Sequence, residues 1–336
     1  MATRVAINGF GRIGRGFLRA ALADPSVEIV ALNDLVPPAT NAHLLQYDST
    51  QGILDVPVSV SENALQVGER TIKVFAERDP AALPWGDLDV DVVIESTGIF
   101  TTREAAAKHL AAGAKRVIIS APSPDPDATF VMGVNEQTFK PETDLVISNA
   151  SCTTNCFVPM VKVLDDAFGV EAGLMTTVHA YTNDQNLLDL AHKDLRRSRA
   201  AAINIVPTST GAARATSLVL SAMKGKLDGT SLRVPIPVGS ITDFTAVVPT
   251  TTVEAINDAF KAAATEGPLS KVLVYTEEPI VSSDIVGSPA SCTFDSLMTI
   301  VQRLDDERSL VKVFGWYDNE WGYSSRLVDL AQYVSR

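Results

Sequence analysis

Cysteine is scarce in this chain. Three in 336 residues, Cys152, Cys156 and Cys292, build no disulfide framework, and a reducing cytoplasm is the expected setting. Histidine is nearly as rare. His43, His109, His179 and His192 are scattered, and Cys152 with Cys156 brings two ligands where a closed metal site needs about four, so no metal is expected. Long apolar runs are missing too. No stretch of about 18 uncharged apolar residues occurs, and MATRVAINGFGRIG enters a strand pattern without the basic segment and apolar core of an export signal. Neither a membrane span nor export is expected. Positive charge falls short: 28 Lys and Arg stand against 40 Asp and Glu, and a net charge of −12 argues against nucleic acid or acidic lipid as a partner. Apolar residues, by contrast, make up 46% of the chain, enough to bury more than one core, and the length predicts two domains.

The first half alternates β-branched runs with Ala-rich stretches. RVAING (4–9), VEIVALND (27–34), DVVIES (91–96), RVIISA (116–121) and DLVISN (144–149) read as strands. Residues 11–23 and 102–112 read as helices, the second stopped by Gly113. This is the pattern of an α/β doubly wound, mostly parallel sheet. VPVSVSENALQVGERTIKVFAE alternates apolar and polar residues and predicts a small antiparallel excursion. Beyond residue 150, LMTTVHAYT, TSLRVPIPVGSITDFTAVVPTTT and SLVKVFGWYD predict a second, α+β domain built on a sheet. GYSSRLVDLAQYVSR closes the chain as an amphipathic helix.

INGFGRIGRG spaces Gly9, Gly11 and Gly14 as G-x-G-x-x-G between a strand and a helix. Such a turn lets backbone N–H groups approach a pyrophosphate at a helix N-terminus. Asp34 follows about twenty residues after Gly14, at the end of the next strand, where a carboxylate accepts from a ribose.

SNASCTTNC (148–156) sits where a strand ends and a helix begins. A thiol at the positive end of a helix ionises below the free value, so Cys152 is expected to be a reactive thiolate, with Cys156 a turn deeper and inert. Two packing cysteines are the plainer reading of such a pair. A partner displaces it: His179, in LMTTVHAYTND, falls at a strand end before a polar turn, where an imidazole can serve a thiol as base and acid. HKDLRRSRAA gathers Lys193, Arg196, Arg197 and Arg199 in an acidic protein, and TSTG (208–211) opens a helical stretch suited to an oxyanion. Arg196 and Arg199 are read as a solvated face or intersubunit bridges. Arg233, alone in the apolar strand SLRVPIPV, has no such explanation.

INGFGRIGR, NDL, LLQYDST, AERDP, ESTGIF, VIISAPS, SNASCTTNC, TTVHAYTNDQ, HKDLRRSRAAAINIVPTSTGAA, LRVP and WYDNEWGYSSR resemble, in order and over the whole chain, phosphorylating glyceraldehyde-3-phosphate dehydrogenases. The resemblance implies an NAD-binding domain of residues 1–150 with 315–336, a catalytic domain of 151–314, and a homotetramer with NAD in each subunit. It implies cofactor contacts at Arg12, Ile13, Asp34, Arg78, Ser120 and Asn319, beside the glycines. Cys152 matches the nucleophile and His179 the base. Ser151, Thr153, Thr182, Arg197, Thr210, Gly211 and Arg233 match ligands of the substrate phosphate and of the attacking inorganic phosphate. The implied reaction converts glyceraldehyde 3-phosphate to 1,3-bisphosphoglycerate through a hemithioacetal and an acyl thioester on Cys152. The chain departs from the pattern at Ala191, where many NAD-using bacterial members carry proline, and at IPVGSITDF. Oxidation of erythrose 4-phosphate, or a dinucleotide-binding sensor without turnover, are the competing readings.

Overall fold

The structure, a computed structural model, describes residues 2–336. Two compact units divide the chain: Met1–Phe130, Glu136–Ser151 and Ser324–Arg336 form one, Val131–Asn135 and Cys152–Tyr323 the other.

In the first unit, the β-branched runs at Thr3–Asn8, Val27–Asn33, Val92–Glu95, Arg116–Ile119 and Val146–Ser148 become strands of a nine-stranded sheet. The chain starts in the middle, moves outward through Val27–Asn33 on one side, then returns to build Val92–Glu95 and Arg116–Ile119 on the other. All these pairings are parallel. Val92–Glu95 and Val146–Ser148 are buried at every position, as parallel strands covered on both faces must be. The reversal of direction falls between the carboxyl ends of Thr3–Asn8 and Val92–Glu95, the place where open α/β sheets bind ligands.

Two local readings of the sequence change in detail. The excursion after residue 57 is a meander of Val58–Ser61, Ala64–Val67 and Arg70–Phe75, antiparallel within itself. Its last strand pairs parallel with Val27–Asn33, so the meander extends the main sheet. The helix expected at 102–112 is two single turns, Arg103–Ala106 and Lys108–Ala111, with Leu110 N donating to Ala107 O in a tightened turn at 3.0 Å. At this break His109 is fully buried and tethered by hydrogen bonds to Trp85 and Glu95. Apolar spacing carries no trace of such a tether. Gly113 does end the segment, at φ 100°, and a Cβ there would lie 2.5 Å from Gly86 Cα. The last helix, Trp321–Val334, buries Leu327, Leu330, Ala331 and Val334 completely.

The second unit is built on an eight-stranded mixed sheet, largely antiparallel. Ala172–Ala180 is an interior strand, parallel to Leu227–Val234 on one side and antiparallel to Ser240–Pro249 on the other. Alternate residues Met175, Thr177 and His179 are buried, while Ser240–Pro249 alternates almost perfectly along its length. The helix Cys152–Phe168 packs on this sheet through Phe157, whose ring meets Phe244 edge-on at 4.9 Å. Val253–Thr265 contributes Phe260, stacked on Phe294 at 3.7 Å. Each buried aromatic ring of this kind contributes roughly 0.5–1.5 kcal/mol beyond its area. The Phe157–Phe244 contact holds the helix whose first residue is Cys152 against the sheet.

Candidate active site

The three loop glycines of the first unit have different reasons to be glycine. Gly9, at φ 91°, has no room for a side chain, because a Cβ would lie 2.6 Å from Thr97 N; a Cβ on Gly14 would lie 2.2 Å from Gly9 O. Gly11 is the opposite: a Cβ there meets nothing within 4 Å, so only its absence keeps the helix start bare. No side chain caps that helix, Arg12–Ala21. Ile13 stands in its first turn. The Arg12 guanidinium turns to Asp48 and Thr50 and leaves its backbone at the helix start. Asp34 is half-buried and already employed, accepting from Phe10 N at 2.6 Å and Val36 N at 2.8 Å, so it latches the glycine loop with lone pairs to spare. Ser120 donates its backbone N–H to Glu95 O at 2.9 Å, and Arg78 is exposed. Asn319 belongs to the second unit, where its Oδ1 accepts from Gly239 N and Ser240 Oγ.

In the second unit Cys152 opens the helix Cys152–Phe168 and places Sγ 3.4 Å from His179 Nε2. The other ring nitrogen, Nδ1, lies 2.7 Å from Ala180 O. A carbonyl only accepts, so Nδ1 carries the proton. Burial, helped by the positive charge of Arg233, pushes the imidazole down to about 3 against the pull of Ala180 and Asp184, and the neutral ring therefore aims a bare Nε2 at the sulfur. The ring of Tyr317 meets His179 edge-on at 6.0 Å, and its hydroxyl bonds Thr153 Oγ1 at 2.9 Å and Thr177 Oγ1 at 2.8 Å. Cys156 and Cys292 are fully buried, and burial beside Cys292 drives the Cys156 thiol well up.

The thiolate expected from the helix terminus alone needs correcting. Burial pushes the Cys152 thiol up, and the Arg233 guanidinium, the Thr153 hydroxyl and the N–H groups of the first helical turn offset it only in part. Both shifts favour the neutral forms, thiol and imidazole. That is a nucleophile beside a base ready to take its proton.

Strand register explains the reach of Arg233, for it sits directly beside His179 on the neighbouring parallel strand. Its Nη1 donates to Ala180 O at 3.1 Å and Thr182 Oγ1 at 2.9 Å, while its Nε is buried without a partner. Thr182 in turn donates to Asp184, and Asp184 accepts from Arg197 Nη1 at 2.5 Å. Burial raises the Asp184 carboxyl, but the Thr182 hydroxyl and the two guanidinium groups hold it below the usual range. Arg197 Nε donates to Thr208 Oγ1 at 2.8 Å, two residues before Thr210, whose hydroxyl accepts from Ala212 N. Gly211 stands at the start of that helix, Ala212–Val219, with open space where a Cβ would be. Ser151 immediately precedes Cys152. Arg199 pairs with Asp189 in the open, as a solvated arginine does.

Two family models divide the chain in the same order. The model of the glyceraldehyde 3-phosphate dehydrogenase NAD binding domain matches residues 3–103, and that of the glyceraldehyde 3-phosphate dehydrogenase C-terminal domain matches 151–319. The glyceraldehyde-3-phosphate dehydrogenase of Streptomyces coelicolor is 60% identical over 336 residues, 99% of each chain. Glyceraldehyde-3-phosphate dehydrogenase 1 of Bacillus subtilis is 58% identical over 337 residues, covering 100% of this chain and 99% of its own, and the Geobacillus stearothermophilus enzyme is 58% identical over 336 with the same coverage. The chain belongs to the glyceraldehyde-3-phosphate dehydrogenase family. It has that family's glycolytic oxidoreductase activity, with NAD as cofactor. The bare helix start at Gly11 and the carboxylate of Asp34 fit such a dinucleotide. Among the described residues no helix is long and apolar enough to cross a membrane.

Two participants escape a reading of the sequence: Asp184 looks like a turn residue in YTND, and Tyr317 like core in FGWYD. Only the hydrogen bonds reveal them. The electrostatic link from Arg233 to Cys152 is testable by the pH dependence of Cys152 alkylation. A cation favours the thiolate, so Arg233→Leu should move the midpoint to higher pH and slow labelling at neutral pH; an unchanged midpoint would contradict the link.

Proposed function

We propose that Cys152 is the nucleophile and His179 the general base of the phosphorylating oxidation of glyceraldehyde 3-phosphate. The observation that carries this is the 3.4 Å approach of Cys152 Sγ to the bare Nε2 of His179. His179 takes the thiol proton as sulfur adds to the aldehyde carbon, and the carbonyl electrons move to oxygen. That oxygen is protonated by the imidazolium, giving a hemithioacetal. NAD, when bound, supplies the acceptor for the hydride that the carbon gives up. His179 then removes the hydroxyl proton, and an acyl thioester remains on Cys152. An oxygen of inorganic phosphate attacks the thioester carbon, the carbon–sulfur bond breaks, and 1,3-bisphosphoglycerate leaves.

Two anions therefore visit one centre. Arg233, with its buried unpaired Nε and its bond to Thr182, has the chemistry to hold the phosphate of the aldehyde. Arg197, Ser151, Thr153, Thr210 and Gly211 complete the two phosphate sites, with hydroxyls and open backbone among them. For the cofactor we assign Gly9, Gly11, Arg12, Ile13, Gly14, Asp34, Arg78, Ser120 and Asn319. A 2′-phosphate beside Asp34 would bring like charges together, which supports NAD over NADP. Three free cysteines and the glycolytic role support a cytoplasmic setting.

A homotetramer is the assembly we propose. Leu187, Leu188, Leu190, Leu195, Ile203 and Ile205 all lie in one segment and are 62–82% exposed, a run of large apolar side chains of the kind that marks a protein–protein contact. Sedimentation equilibrium should give four chain masses; a single chain mass would contradict it. For the chemistry, His179→Asn should slow cofactor reduction by about 10²- to 10⁴-fold while NAD affinity holds. Wild-type turnover in that variant would remove His179 from the mechanism.

A further inference from the structure

Glu95 ends the strand Val92–Glu95 at the point where the sheet reverses direction, with Asn8 directly opposite it in register. It is 2% exposed, and among the described residues no Lys or Arg pairs with it; its one ion-pair neighbour is His109. Trp85 Nε1, which only donates, bonds His109 Nδ1 at 2.9 Å, so that nitrogen is bare and the proton of the neutral ring sits on Nε2, 3.0 Å from Glu95 Oε2. Asn8 Nδ2 donates to the same oxygen at 2.6 Å. Thr97 N and Thr97 Oγ1 donate to Oε1 at 2.9 and 2.5 Å. Three residues thus supply four donors, a set that a carboxylate accepts in full. A buried carboxylate is costly, and here hydrogen bonds alone satisfy it.

The donors are not scattered. Asn8 and Thr97 flank Gly9: Thr97 N lies 2.6 Å from where a Gly9 Cβ would be, and Ser96 Oγ donates to Gly9 O at 2.7 Å. From Asn8 the chain of bonds continues, because Asn33 Nδ2 donates to Asn8 Oδ1 at 2.7 Å and to Glu77 O at 2.9 Å. Asn33 immediately precedes Asp34. One buried carboxylate thus gathers the ends of three parallel strands, two of which lead into the glycine loop and the Asp34 turn.

We propose that Glu95 is a positioning residue for the dinucleotide, holding the Gly9–Gly14 loop and Asp34 in register with one another through Asn8, Asn33 and Thr97. This rests on those residues forming the cofactor site. Glu95→Gln replaces an acceptor of four bonds by a group that must present an N–H either to Asn8 and His109 or to Thr97. Calorimetric titration of the cofactor-free protein with NAD should show affinity weakened by about 10- to 100-fold, as expected when buried donors lose their acceptor. The KM for NAD should rise in step, while kcat at saturating NAD and the KM for glyceraldehyde 3-phosphate stay within about twofold. Thr97→Val, a milder change, should weaken NAD less, and Thr97→Ser should restore it. Gly11→Val separates the two claims by filling the bare helix start. If it abolishes NAD binding while Glu95→Gln and Thr97→Val bind NAD as wild type does, the positioning role is overturned; if it binds NAD normally, the loop is not the site and the proposal falls with it. Losses shared equally by kcat and both KM values would mark general destabilisation and overturn it too.

Discussion

An imidazole can take a proton from a thiol only if the nitrogen facing the sulfur is bare, and in this chain a backbone carbonyl decides that. Ala180 O holds the proton of His179 on Nδ1, and burial beside Arg233 keeps a second proton off the ring. Several contacts of the second unit hold this geometry. The strand Ala172–Ala180 delivers His179, the neighbouring parallel strand sets Arg233 beside it, and the contact of Phe157 with Phe244 fixes the helix that begins with Cys152. Tyr317 ties that helix to the strand by bonding Thr153 and Thr177 at once.

The two buried histidines show how a donor or acceptor alone selects a tautomer. His109 faces a Trp N–H through Nδ1 and so presents a donor to Glu95; His179 faces a carbonyl through Nδ1 and so presents an acceptor to Cys152. The first outcome satisfies a carboxylate and stiffens a scaffold. The second leaves a base. Neither ring needs a charge to do its work at rest, which suits a fold where both are at most 4% exposed.

Much of this architecture is legible in the sequence because it rests on local rules. Parallel strands buried on both faces read as unbroken β-branched runs, and the glycine spacing announces the turn it builds. What the sequence hides depends on contacts between distant positions. The pull of Arg233 on both Cys152 and His179 comes from strand register, and the balance of burial against the helix terminus at Cys152 cannot be weighed until the pocket walls are known. Asp184 bridges Thr182 to Arg197 across a loop, and the split of the 102–112 helix follows a buried tether. A polar residue with an interior partner looks in sequence like any surface residue.

Covalent chemistry at Cys152 is the centre of this account, and withholding phosphate isolates it. With glyceraldehyde 3-phosphate and NAD but no phosphate, the thioester should form and go no further. Rapid mixing should then show a burst of reduced cofactor of about one equivalent per chain, with mass spectrometry placing the acyl group on the peptide that carries Cys152. Steady turnover without a burst, or an acyl group on a peptide lacking Cys152, would contradict it.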